Sequence, residues 1–197
     1  MTKKITAAEL MAGLHADPEW VAARAREAAD RERLKDELRL AEAPLLNELQ
    51  AAGFDVKSVW DLVNTSVPYP NALPILLEHL QRPYPAPIRE GIARALAVPP
   101  AKFGWVVFVK LFQEEPEKRV KDALAVAIAN TADDGTIDEV IALARNQRLG
   151  ESRRLLLSAL EKSKVQSAKM ALSDFEADPE LRPEVRNILR RTGRRKR

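Results

Sequence analysis

Cysteine is absent from all 197 residues. That removes disulfides, thiolate metal sites and cysteine nucleophiles together, and it fits a cytoplasmic protein, the compartment expected here. Histidine is nearly as scarce, with only His15 and His79. A transition-metal site therefore lacks thiolates and a second imidazole at ligand spacing. No Gly-x-Ser-x-Gly elbow occurs, so a serine triad has no nucleophile of that kind. Glycine is limited to seven residues and aromatics to 5%. Runs of β-branched residues are scarce, which favours helix. Long apolar runs are missing too. The most continuous, Trp105 to Val109, is far too short to span a bilayer. The N-terminus shows no apolar stretch of secretion-signal length. We expect no enzyme activity, no cofactor, no metal and no membrane association.

What is present is 46% hydrophobic residues, rich in Ala and Leu and interleaved with Glu and Arg. That is enough for the core of one domain or one short repeat array. The net charge of +3 is unevenly placed. The last eight residues carry Arg190, Arg191, Arg194, Arg195, Lys196 and Arg197, and removing these six charges leaves −3 for residues 1–189. The body is mildly acidic and the basic character sits at one end.

Helix start signals recur along the chain. Thr6-Ala-Ala-Glu9 is a capping box that opens a short helix to about His15. Asp17-Pro18-Glu19 combines a cap, a first-turn proline and an acid, and it starts a long charged helix to about Ala41. Glu27/Arg31 and Arg33/Glu37 stand at i,i+4 on it. Pro44 is expected to restart or kink the helix, Gly53 to end the next piece, and Asp55 to cap a short helix bearing Val59 and Trp60. Beyond Val67, the predicted helices are 71–81, 87–97, 101–114, 117–130, 136–146, 151–162, 165–176 and 182–191. Thr136-Ile-Asp-Glu139 reads as a second capping box and Asp178-Pro179-Glu180 as another cap-plus-proline start. Asp133, Asp134, Gly135 and Asp138 look superficially like a calcium loop. With Gly135 at loop position six, Ala132 and Ile141 fall where oxygen ligands are required, so the segment is read as a turn.

The tripeptide Pro-Tyr-Pro occurs twice, at 68–70 and 83–85, and holds both tyrosines. A helix of ten or eleven residues fits between the copies. Each phrase is read as punctuation that ends one segment and starts the next, its tyrosine covering apolar helix ends, with recognition by Tyr69 and Tyr84 a secondary reading. Trp60 and Trp105 have apolar neighbours and are expected in the core. Trp20, in the charged helix, is expected to be partly exposed. His15 and His79 are expected to be capping or surface residues.

An internal repeat governs the second half. Ile88–Leu96 aligns without gaps to Val120–Ile128 and to Ser152–Leu160, 32 residues apart each time. Ile92, Leu124 and Leu156 correspond, as do Ala95, Ala127 and Ala159, and Leu96, Ile128 and Leu160. A fourth unit, Arg182–Arg191, is aligned at a shorter offset through Val185 and Ile188-Leu189. Two short helices per period cannot bury an apolar face alone, so stacked neighbours must complete it. The predicted fold is all-α, with an N-terminal helical extension (1–66), repeats (67–191) and a basic tail (192–197).

"IREGIARALA" resembles the second helix of bacterial HEAT-type repeats through Ile88, Arg89, Ile92, Ala93, Ala95 and Leu96. Val120, Lys121, Ala125, Ala127 and Ile128 match less fully, and Arg153, Ala159 and Leu160 match in the third unit. The resemblance covers roughly residues 70–191. It implies a short α-solenoid acting as a non-enzymatic protein-binding scaffold, with a few DNA-repair enzymes and cofactor lyases among its relatives. Arg89, Lys121 and Arg153 would form a ladder on one face. The functional reading makes them, with Glu90 and Arg94, a stripe for a protein partner. The structural reading pairs each with an acid in a neighbouring unit, as similar repeats do. The alternative function is nucleic-acid binding through the tail, by phosphate neutralisation.

Overall fold

A computed structural model describes residues 6–7 and 17–194. All but the start of the helix expected from Thr6 to about His15 lies outside these residues, as do His15, Arg195, Lys196 and Arg197. Every regular element among the described residues is helical. The chain divides into two compact units, 1–41 and 42–197.

The first long helix, α1 (Pro18–Ala51), begins as its sequence dictates. Asp17 Oδ1 accepts the N–H groups of Glu19 at 2.9 Å and Trp20 at 3.5 Å. Residues 18–40 are exposed apart from half-buried Trp20 and Leu38. Arg33 pairs with Asp30 and Glu37, and Lys35 with Glu32. These pairs stand in water and each contributes little. Arg31 turns to the backbone carbonyl of Glu27 instead of its carboxylate, which Arg24 takes. The helix runs through Pro44 without restarting. It stops where Gly53 takes φ +91. The N–H of Gly53 then reaches Gln50 O and that of Phe54 reaches Leu49 O, closing the end in a Schellman motif.

Unit boundaries differ from the sequence expectation. The division falls between Ala41 and Glu42, inside α1, so residues 42–66 belong to the second unit. The physical reason is burial: Leu45 and Leu49 are fully enclosed. Glu42, also buried, accepts the N–H of Val59 at 2.7 Å and the hydroxyl of Ser58 at 3.2 Å. Its carboxylate thereby closes the N-terminus of α2 (Val59–Asn64), where negative charge is favoured. Ser58, in a capping box with Asp61, is the N-cap in place of the expected Asp55.

Eight further helices follow: α3 (Leu73–Leu80), α4 (Ala86–Ala95), α5 (Trp105–Glu114), α6 (Lys118–Thr131), α7 (Ile137–Arg145), α8 (Arg153–Lys162), α9 (Gln166–Asp174) and α10 (Arg182–Arg194). Short 3-10 turns precede α3, α5 and α8. The capping box at Thr136 does not form. Its hydroxyl bonds back to Asp133, tightening the turn, and α7 starts at Ile137. Asp178 does act as expected, accepting the N–H of Glu180 at 2.9 Å.

The even-numbered helices pack in chain order, α2 on α4, α4 on α6, α6 on α8 and α8 on α10. Helices α3, α5 and α7 pack on α4, α6 and α8 respectively. Ile92, Leu124, Leu156 and Ile188 are all fully buried. The fourth of these stands 32 residues beyond the third, so the last unit keeps the period instead of shortening it. Full burial of such a side chain contributes about 1.5–3 kcal/mol. Gly91 lets α4 pack close against α2. A Cβ there would stand 2.5 Å from Val59 Cγ1 and 3.1 Å from Trp60 Nε1.

Candidate functional site: an apolar groove beside the first Pro-Tyr-Pro

The candidate site lies where α2, α4 and α6 end or pass one another. The segment after α2 contributes Val67 and Pro68-Tyr69-Pro70, with Val63 and Leu73 beneath. The last turn of α4 supplies Arg94, the residues just after it Ala97 and Val98, and α6 adds Val126 and Asn130. Together they enclose about 560 Å³, within the range of natural ligand clefts. No acidic residue lines this groove.

Its polar atoms are largely satisfied from within. Tyr69 donates its hydroxyl to Ala95 O at 2.9 Å. Burial pushes the phenol above its ordinary pKa, so it remains a donor at neutral pH. Asn130 donates to Ala97 O at 2.9 Å and accepts from Lys162 Nζ at 2.8 Å. Arg94 directs Nε and Nη2 at Glu90 Oε1, at 3.0 and 2.9 Å. Its Nη1 has no protein partner among the described residues. The walls are therefore apolar, with one guanidinium edge left to bind.

The second Pro-Tyr-Pro has a different task. Tyr84 stacks on His79 at 5.7 Å between centroids, and its hydroxyl stands 2.7 Å from Nδ1. His79 Nε2 faces Glu48 Oε2 at 3.1 Å, within ion-pair distance but off the line of a hydrogen bond. Arg82 joins Glu48 to Glu78. This cluster ties the last turns of α1 to α3. It also corrects the expectation for His79, which is fully buried because the Tyr84 ring covers it. The tyrosines had seemed alike in sequence, yet only Tyr69 borders the groove.

The Arg89, Lys121 and Arg153 ladder separates into three environments. Arg89 pairs with the buried carboxylate of Glu115. Lys121 lies 5.6 Å from the centroid of the Phe112 ring, a cation–π contact. Arg153 is 1% exposed and donates to Ala144 O, Gly150 O, Asp178 and Glu180. Burial works to raise the Asp178 pKa, but the Arg153 guanidinium and two backbone N–H groups hold it below the usual value. For Arg89 and Arg153 the cation is spent on the following unit, as in the structural reading. Neither offers a free charge to a partner. Of the five residues proposed for a partner-binding stripe, only Arg94 lines the groove, with Glu90 behind it.

The basic end also divides. Arg190, Arg191 and Arg194 belong to α10. Glu161 and Glu184 both bind Arg191 and raise its pKa. Trp105 is buried and donates to Glu139 at 2.6 Å, and Trp60 is half-buried. Among the described residues, no cluster of His, Asp or Glu is placed to hold a metal ion. No single described helix is long and apolar enough to cross a membrane.

No family model, curated protein or solved structure matches this chain. Sequence reasoning missed the groove because its walls come from three separated segments, 63–73, 94–100 and 126–130. Of its lining, the sequence pointed to Pro68-Tyr69-Pro70 as punctuation and to Arg94 as part of a charged stripe, not to a shared groove.

Proposed function

We propose that the chain is a HEAT-like α-solenoid, a cytoplasmic, non-enzymatic scaffold that binds a protein partner by taking an apolar segment of it into this groove. The observation that carries the reading is the groove's composition. Val63, Val67, Leu73, Val98, Val126 and three prolines line it, and the Tyr69 hydroxyl and the Asn130 amide there are already hydrogen-bonded. A partner placing apolar side chains there would gain about 25 cal/mol per Å² of apolar surface without stranding polar groups. The 32-residue register and the chain-order packing of the even-numbered helices support the repeat assignment. Helices that are formed before binding lose little ordering entropy on association.

The test is capture from native lysate by the immobilised full chain, quantified by mass spectrometry. Val126→Trp fills the groove and Val98→Glu charges it. Both should lose the species captured by wild type, while Lys110→Glu, at an exposed position of α5, retains them. An identical capture profile for all four folded proteins would sink the groove reading.

A further inference from the structure

The groove is one end of a longer exposed surface whose chemistry changes along the repeats. Because the buried positions recur every 32 residues, so do the exposed ones between them. Glu90, Asp122, Arg154 and Arg186 are equivalent positions on α4, α6, α8 and α10. Arg94, Val126, Ser158 and Arg190 form a second row, and Val98, Asn130 and Lys162 a third. Over α4 and α6 these rows hold the groove's Arg94, Val98, Val126 and Asn130. Over α8 and α10 they hold only cations and a serine.

Those cations are little compensated. Arg154 and Arg186 are exposed and make no hydrogen bond or ion pair among the described residues. Among the described residues, Arg190 reaches only the side chain of Asn187. The nearby carboxylates are mostly taken: Arg191 holds Glu161 and Glu184, Lys118 stands 3.7 Å from Glu151, and Arg153 holds Asp178 and Glu180. Asp133 and Asp134, which share a hollow with Lys162, are engaged by Lys102 and Ser163. Glu176 lines a hollow with Arg186 and Arg190 without pairing to either. The two parts of the surface meet physically, because Lys162 Nζ stands 2.8 Å from Asn130, a wall of the groove.

We propose that the bound partner segment is bipartite: an apolar stretch in the groove that continues into acidic residues lying over Lys162, Arg154, Arg186 and Arg190. This rests on the groove reading and adds the partner's charge pattern and direction along the repeats. Charge complementarity selects the acidic part. Continuity through Asn130 and Lys162 selects one segment over two separate ligands. The cationic rows fix orientation and speed encounter more than they add affinity.

The experiment is selection from a library of random dodecapeptides displayed on phage, against the full chain, at low salt. The wild-type pool should be enriched in peptides with apolar residues at one end and Asp or Glu at the other. Against Arg154→Glu/Arg186→Glu/Arg190→Glu the acidic enrichment should vanish while the apolar enrichment remains. Against Val126→Trp the apolar enrichment should vanish. A selected peptide should bind the triple variant about tenfold more weakly than wild type, and high salt should abolish most of that difference. Arg→Gln changes at the same three sites should give an intermediate loss. A wild-type pool without acidic bias, or a bias that survives charge reversal, overturns the bipartite segment but leaves the groove reading standing. An apolar enrichment that is absent, or indifferent to Val126→Trp, overturns the groove reading itself. If a short DNA duplex displaces selected peptides through the same arginines with a steep salt dependence, the occupant is nucleic acid and this proposal fails.

Discussion

Replacing Arg153 with Met should destabilise the protein by about 3–5 kcal/mol, as expected when one partner of a buried ion pair is removed. The magnitude follows from what the side chain does. Arg153 is 1% exposed. Its guanidinium stands 2.8 Å from Ala144 O, 3.0 Å from Gly150 O and 2.9 Å from Asp178, with Glu180 beside it. Methionine can fill much of the space but donates nothing. Each buried acceptor left without a donor costs about 1–3 kcal/mol. Glu180 recovers water most readily, since its side chain is 48% exposed, whereas that of Asp178 is only 15% exposed. Urea unfolding followed by the fluorescence of Trp60 and Trp105 would measure the loss. In a chain of this size, the same change corresponds to about 6–20 °C in melting temperature. The pH dependence adds a sign. The folded pKa of Asp178 lies below its unfolded value. Its contribution is therefore fully present above the unfolded pKa, about 3.9, and is lost as pH falls through the lower folded value. The gap between wild type and variant should narrow on acidification in that window. A loss below about 1 kcal/mol, well under the expected range, would refute the reasoning. So would unchanged stability with abolished partner capture, which would return Arg153 to the partner-binding stripe.

Two further substitutions test how the repeats begin. Gly91→Ala gains about 1 kcal/mol of helix propensity, yet its Cβ meets Val59 Cγ1 at 2.5 Å; the net effect should be a loss of about 1–2 kcal/mol by thermal unfolding. Val59→Ala in the same chain should relieve part of that loss, and a strictly additive double variant would contradict the contact. Glu42→Ala removes the carboxylate that closes the start of α2 and should cost about 1–2 kcal/mol, a value checked by chemical denaturation.

The even spacing of apolar residues determined the helices and their burial. Ile92, Leu124 and Leu156 could be matched from sequence alone because a 32-residue period places each at the same point of a helix, and all three are fully buried. Asp17 and Gly53 fixed the ends of α1 through purely local bonds, which a short stretch of sequence can specify. The fate of a charge was decided by what the fold brought from a distance. Arg89, Lys121 and Arg153 hold one repeat position, yet they meet a buried acid, an aromatic ring and a four-acceptor cage, from residues up to 27 positions away. The two Pro-Tyr-Pro phrases are identical in sequence. One tyrosine reaches Ala95 across 26 residues and borders a groove, while the other covers a histidine five residues behind it. Local sequence sets where a chain turns. Which partners those turns meet depends on the stacking of segments that no local pattern encodes, and the candidate site is made from those meetings.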